Sequence, residues 1–144
     1  MKQPSIQKLP VIMLIDDTPE DLYINNRVIQ KFGQGNNVNQ FNMATNAIAY
    51  LNDNKNIIEN IPDIIFLDIR MPRMNGFEFL DEYENLPASV KTKCKVYMLS
   101  SSFDPRDIER AKSNPNVKAY FEKPLNKNVV DEIINKTETD TQSA

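Results

Sequence analysis

Three runs in the chain are apolar at every position: residues 11–15, 64–67 and 96–99. Unbroken apolarity over four or five residues is the pattern of a strand covered on both faces. Two further runs, 38–44 and 117–121, are less pure, and Asn39, Gln40 and Asn42 interrupt the first. Such runs suit the edges of a sheet. Between the runs, apolar residues recur at helical spacing. Leu22, Ile29 and Phe32 make a stripe over 19–32, broken by Asn25. Ala47, Ile48 and Leu51 do the same over 45–51, and Phe79, Leu80, Tyr83 and Leu86 over 77–86. Ile108 and Ala111 are a thin stripe over 105–114, so that helix is expected to be loosely held. Val129, Val130, Ile133 and Ile134 form the last stripe, from residue 126.

The punctuation agrees with these elements. Thr18 reads as the N-cap of the first helix, with Pro19 at its first position and Glu20 and Asp21 at the positive end of its dipole. Gly33 and Gly35 stop it. Thr45 is placed to cap the second helix, Pro87 to end the third, and Asp104 or Pro105 to open the fourth. Residues 52–56 are polar and poorly helical, and Ile57, Ile58 and Ile61 are expected to resume a helix before Pro62. Segments 52–61 and 87–95 are long, polar connections. The order is β-α repeated five times, which implies an α/β fold: a doubly wound parallel sheet, helices on both faces and right-handed crossovers. One domain over 10–136 accounts for the pattern, with tails at 1–9 and 137–144.

Composition narrows the chemistry. The chain has 144 residues, a net charge of -3, one cysteine and no histidine. The acidic balance argues against nucleic acid as a partner. Without histidine there is no Ser-His-Asp or Cys-His arrangement and no usual zinc site. Any metal must be held by oxygen, which points to magnesium, calcium or manganese. Cys94 reads as a small core residue, and a reducing compartment fits. No apolar run is long enough to span a membrane, and residues 1–8 lack a signal-peptide core, so the expected location is cytoplasmic. Neither a P-loop nor a GxGxxG pattern is present.

What remains is the set of residues directly after the apolar runs. Asp16 and Asp17 follow the first, Asp68 the third, Ser100 the fourth, and Lys123-Pro124 the fifth. Singly, each has an ordinary reading: Asp caps turns, and lysine is solvated. Together they lie at the carboxyl edge of a sheet, where ligands of open α/β folds bind. Close carboxylates repel by about 4 kcal/mol per pair at about 4 Å and an effective dielectric near 20. A hard divalent cation reverses that sign, and magnesium favours carboxylates plus a phosphate. Three acids, a lysine and a hydroxyl therefore suit magnesium-assisted phosphoryl chemistry.

With Ile15-Asp16-Asp17, Leu67-Asp68 followed by Met71-Pro72 and Gly76, Leu99-Ser100-Ser101, and Tyr120 three residues before Lys123-Pro124, the chain resembles the receiver domain of two-component response regulators, chemotaxis-regulator-like and single-domain. The likeness covers residues 10–136. It implies a flavodoxin-like (βα)5 fold with strand order 2-1-3-4-5. It implies Asp68 as phosphoacceptor, taking its phosphoryl from a sensor histidine kinase or histidine phosphotransfer protein. Asp17, Asp68 and the backbone carbonyl of Arg70 would hold Mg2+ (Mn2+ is the alternative), with Asp16 acting through bound water. Lys123 would pair with Asp68 and then with the phosphoryl group, ahead of a cis bond to Pro124. Ser100 and Tyr120 would form the switch that reshapes the face of the fourth helix, fifth strand and fifth helix for an output partner. Arg70 and Ser102 match positions that tune dephosphorylation, and Pro72 and Gly76 shape the acceptor loop.

The resemblance implies a phosphoacceptor that signals by binding, not an enzyme with a separate catalytic output. A phosphorelay shuttle and a phosphorylation-independent interaction module remain open beside it. A magnesium-dependent aspartyl-phosphate phosphatase of the haloacid-dehalogenase type is disfavoured, because that chemistry wants Asp-x-Asp on the first strand and Asp68-Ile69-Arg70 follows the third.

Overall fold

The five runs form five parallel strands, β1 (Val11–Ile15), β2 (Asn37–Phe41), β3 (Ile64–Leu67), β4 (Lys95–Ser100) and β5 (Val117–Glu122), in the order 2-1-3-4-5. The computed structural model describes residues 9–135. The tails expected at 1–9 and 137–144 therefore lie outside the described residues, apart from Leu9. The central strands β1, β3 and β4 are buried almost throughout, while β2 and β5 are partly exposed edges. That is the distribution expected from their purity. In β1, Ile15 pairs with Phe41 of β2 and with Leu67 of β3, so the carboxyl ends of the three strands are level. A register shift at Val96/Tyr97 lets Lys118 drop out of the β4–β5 pairing.

Alternate strand residues feed two cores. One face carries Met13, Ile15, Ile65, Leu67, Val96 and Met98 against Leu51, Phe79, Leu80, Tyr83 and Ala111. The other carries Ile12, Leu14, Ile64, Phe66, Tyr97 and Leu99 against Leu22, Ile29, Val130 and Ile134. Helices thus cover both faces, as a doubly wound sheet requires.

The helices are α1 (Pro19–Phe32), α2 (Ala44–Asp53), α3 (Gly76–Glu84), α4 (Ala88–Lys93), α5 (Pro105–Ser113) and α6 (Lys127–Val129), the last continuing as a wider π-type turn over Val130–Asn135. Several boundaries differ from the expectation. Thr18 occupies the cap position of α1 without a side-chain cap; its own amide donates to Asp16 Oδ1 at 3.0 Å. The acid at the pocket thus takes over the ordering of that turn. β2 ends at Phe41, and α2 starts one residue before Thr45, with Met43 at the uncapped position. Residues 57–61 do not resume a helix. They make a single tight turn, Ile58–Asn60, with no buried residue, and only Ile61 directly after it is buried.

The third helix stops at Glu84, and Pro87 precedes α4, a short helix with Val90 in the core. Lys93 Nζ donates to the Ile58 carbonyl at 2.7 Å. The two long segments therefore meet at the amino ends of β3 and β4, opposite the acidic edge. Asn25, which broke the α1 stripe, is buried because its Oδ1 accepts from the Leu125 amide at 2.9 Å. Among the described residues no helix is long and apolar enough to cross a membrane.

Candidate functional site

Each strand delivers its residue to the same edge through the main chain. The Asp16 amide donates to the Phe41 carbonyl and the Asp68 amide to the Ile15 carbonyl, both at 3.0 Å. The acid pair after β1 and the acid after β3 are thereby held side by side. The Lys123 amide donates to the Ser100 carbonyl at 3.0 Å, which ties the end of β5 to the end of β4. The Lys123–Pro124 peptide is cis. The loop after Asp68 closes through Gly76 N donating to the Ile69 carbonyl at 2.8 Å. A side chain at Gly76 would meet the Asp68 carbonyl oxygen, which explains the glycine. Asn75 and Glu78 then form a reciprocal cap on α3, each side chain accepting from the other's amide at 2.9 Å. Pro72 is exposed on that loop.

Carboxylate oxygens of Asp16, Asp17 and Asp68 lie within 4.8 Å of one another. Lys123 reaches across them. Its Nζ is 2.6 Å from Asp16 Oδ2, 2.8 Å from Asp21 Oδ2 and 3.3 Å from Asp68 Oδ2. The side chains of Lys123, Asp16 and Asp68 are only 9%, 6% and 6% exposed. The pairing of Lys123 with Asp68 is present, but the ammonium sits closer to Asp16 and Asp21. In the sequence Asp21 is an acid complementing the α1 dipole, and nothing local marks its second job.

Three carboxylates, Asp16, Asp21 and Asp68, thus share one ammonium, with Asp17 beside them. Burial raises Asp16 above the ordinary carboxylate value, against the hydrogen bonds from Lys123 and the Thr18 amide. Burial likewise raises Asp68; the Lys123 charge, the Ile69 amide and the Ser100 hydroxyl oppose it without cancelling it. For Lys123 burial alone would lower the ammonium, but the hydrogen bonds to Asp16 and Asp21 and the Asp68 charge outweigh it, and the net direction is up. The donor set is all oxygen and carries excess negative charge, which fits a hard divalent cation.

Ser100 is buried beside this cluster, and its Oγ accepts from the Ser102 amide at 3.2 Å. Tyr120 is half-buried on β5 and donates its hydroxyl to the Ser102 carbonyl at 2.7 Å. The Arg70 side chain turns away from the acids and pairs with Asp107 of α5. Asp107 also accepts from Ser102 Oγ at 2.8 Å. Like Asp21, Asp107 carries no sequence signal that separates it from other helix acids. Cys94 is on the far side of the molecule from any of this, buried with its thiol donating to the Pro62 carbonyl at 3.1 Å. Burial pushes that thiol up to about 12.

A five-stranded 2-1-3-4-5 sheet with acids at the β1/β3 switch point and a lysine from β5 defines an α/β protein whose chemistry sits at the strand carboxyl edge. Within that class, residues 12–135 match the response regulator receiver domain, and the chain belongs to that family. A two-component response regulator from Cytophaga hutchinsonii is 32% identical, with a TM-score of 0.82 over 92% of this chain and 98% of that one. The probable methanogenesis regulatory protein FilR2 of Methanothrix harundinacea is 26% identical over 127 residues, 85% of this chain and 80% of that protein. The hybrid signal transduction histidine kinase C of Dictyostelium discoideum is 29% identical over 132 residues. This chain spans 10% of that kinase's length. The receiver fold and the two-component class expected from the sequence are therefore borne out.

Proposed function

We propose that this receiver accepts a phosphoryl group on Asp68 from a histidine kinase or histidine phosphotransfer protein, and signals by a change in the face it offers an output partner. The observation that carries the reading is the Asp68 carboxylate itself, buried, next to two acids, and 3.3 Å from the Lys123 ammonium. A carboxylate oxygen of Asp68 attacks the phosphorus of a phosphohistidine. The P–N bond breaks, the imidazole leaves, and an acyl phosphate remains on Asp68. Asp16, Asp17 and Asp68, with the Arg70 backbone carbonyl, would hold magnesium, or manganese in its place. That ion, when bound, offsets the charge of the acids and of the incoming phosphoryl oxygens.

Lys123 supplies the remaining positive charge. It exchanges part of its contact with Asp16 and Asp21 for a phosphoryl oxygen. Ser100 donates its hydroxyl to another oxygen of the group. That movement opens space beside Tyr120, whose hydroxyl then gives up the Ser102 carbonyl. Burial raises the Tyr120 phenol, so it stays a donor throughout. The two positions of Tyr120 are the two states whose populations the phosphoryl group shifts. β5 and the helices beside it, α5 and α6, carry the change to the partner.

The test is intact mass after incubation with acetyl phosphate, with and without magnesium, for wild type and Asp68→Asn. One phosphoryl group gained only with magnesium and only with Asp68 is the expected result. A gain that survives Asp68→Asn, or one indifferent to magnesium, contradicts it.

A further inference from the structure

Asp107 has no role in the chemistry above, yet it links two loops at the rim of the site. It is on the first turn of α5, and its side chain is 17% exposed against 68% for Arg70. Two donors converge on its Oδ2. Arg70 Nη2 comes from the loop after β3, and Ser102 Oγ comes at 2.8 Å from the loop after β4. Ser102 in turn accepts the Tyr120 hydroxyl on its carbonyl at 2.7 Å and donates its amide to Ser100 Oγ at 3.2 Å. The carboxylate therefore fixes the side chains of Arg70 and Ser102 and joins the acceptor loop to the loop that holds Tyr120. The rest of α5 is thinly packed. Ala111 is its only buried residue, and Arg110 lies over the Phe77 ring at 4.2 Å.

We propose that Asp107 is a positioning residue that keeps the Arg70 guanidinium off the phosphoryl group of Asp68 and so shortens the life of the acyl phosphate. The inference rests on the reading of Asp68 as phosphoacceptor. The step concerned is hydrolysis. A water oxygen attacks phosphorus, the bond from phosphorus to the Asp68 oxygen breaks, the carboxylate is restored, and inorganic phosphate leaves with the protons of the water. The approach to phosphorus must be open for that attack. Arg70 is two residues from Asp68, and a guanidinium pairs with phosphoryl oxygens through two parallel N–H donors. Held on Asp107, it leaves the approach clear. Released, it binds the phosphoryl oxygens and covers the path of the water. The pair is partly exposed, so the effect is a matter of severalfold and not of many orders of magnitude.

The experiment loads wild type, Asp107→Asn, Arg70→Ala and the double variant with acetyl phosphate and magnesium. The donor is then removed and the phosphorylated fraction followed by intact mass. Arg70→Ala keeps the backbone carbonyl. The lifetime in Asp107→Asn is expected to be about threefold or more that of wild type. The same substitution in the Arg70→Ala background is expected to change nothing, the signature of an effect carried through Arg70. Asp107→Glu, which keeps the charge, is expected to stay near wild type, and Asp107→Ala serves as a second release variant if the amide unfolds early. An unchanged or shorter lifetime in Asp107→Asn overturns the proposal. So does an equal lengthening with and without Arg70, or a Glu variant as slow as the Asn one. A wild type that takes up no phosphoryl overturns the phosphoacceptor reading and this inference with it; a wild type that does, with flat variants, overturns this inference alone.

Discussion

At the scale of the residue, what the sequence made legible was the set of groups that sit at strand ends. Asp16, Asp17, Asp68, Ser100 and Lys123 all arrive where the apolar runs stop. A strand end is a local feature, so its position can be read without knowing the fold. Asp21 and Asp107 were not legible, because each reaches its partner across the chain: Lys123 is 102 residues from Asp21, and Arg70 is 37 from Asp107. Gly76 was recognised as loop punctuation, but its reason is tertiary. Gly76→Ala would place a methyl against the Asp68 carbonyl and the Ile69 backbone. We expect it to cost about 1 kcal/mol or more, read by urea denaturation, and to slow phosphorylation because the acceptor itself is displaced. Cys94 offers a test in pH. Its folded value is about 12 against an ordinary 9.0, so above 9.0 the unfolded chain gives up the proton first. The stabilising contribution is complete below 9.0 and is lost as pH rises towards 12. The alkaline fall in stability is expected to be shallower in Cys94→Ala than in wild type; equal slopes would refute it.

At the scale of the element, the strands and α1 were predicted closely, and the connections around α2 and α4 were not. Purity of an apolar run reports burial, which is why β1, β3 and β4 were clear. Residues 57–61 contain three isoleucines but lack the neighbours that would make a helix bury them; Ile57 and Ile58 remain 46% and 45% exposed. The Asn25 anomaly in the α1 stripe had a definite cause. The helix gives up one apolar contact to hold the Leu125 amide directly after Lys123-Pro124. Asn25→Ala removes that acceptor and leaves a buried amide without a partner. The expected loss is about 1–3 kcal/mol by denaturant titration, larger than a helix surface substitution gives. A loss within about 0.5 kcal/mol would show that the amide finds another acceptor.

At the scale of the whole molecule, one sheet separates two cores and carries its polar residues on one edge. The hydrophobic order of the chain therefore does two things. It folds the α/β scaffold, and it assembles at the β1/β3 switch point a cluster of acids that would repel one another without a cation. The order 2-1-3-4-5 follows from family resemblance and not from the apolar pattern, which specifies alternation alone. The segments before β3 and β4 are packed together at the opposite end, and so stand apart from the chemistry. Everything proposed for the site depends on Asp68 being the atom-level acceptor. The most direct measurement is to phosphorylate the full chain with acetyl phosphate and magnesium, reduce the acyl phosphate with borohydride, and sequence the peptides by mass. The account predicts homoserine at position 68 and nowhere else. Homoserine at 16 or 17, or a phosphoryl group that resists borohydride and maps to a serine, would contradict it.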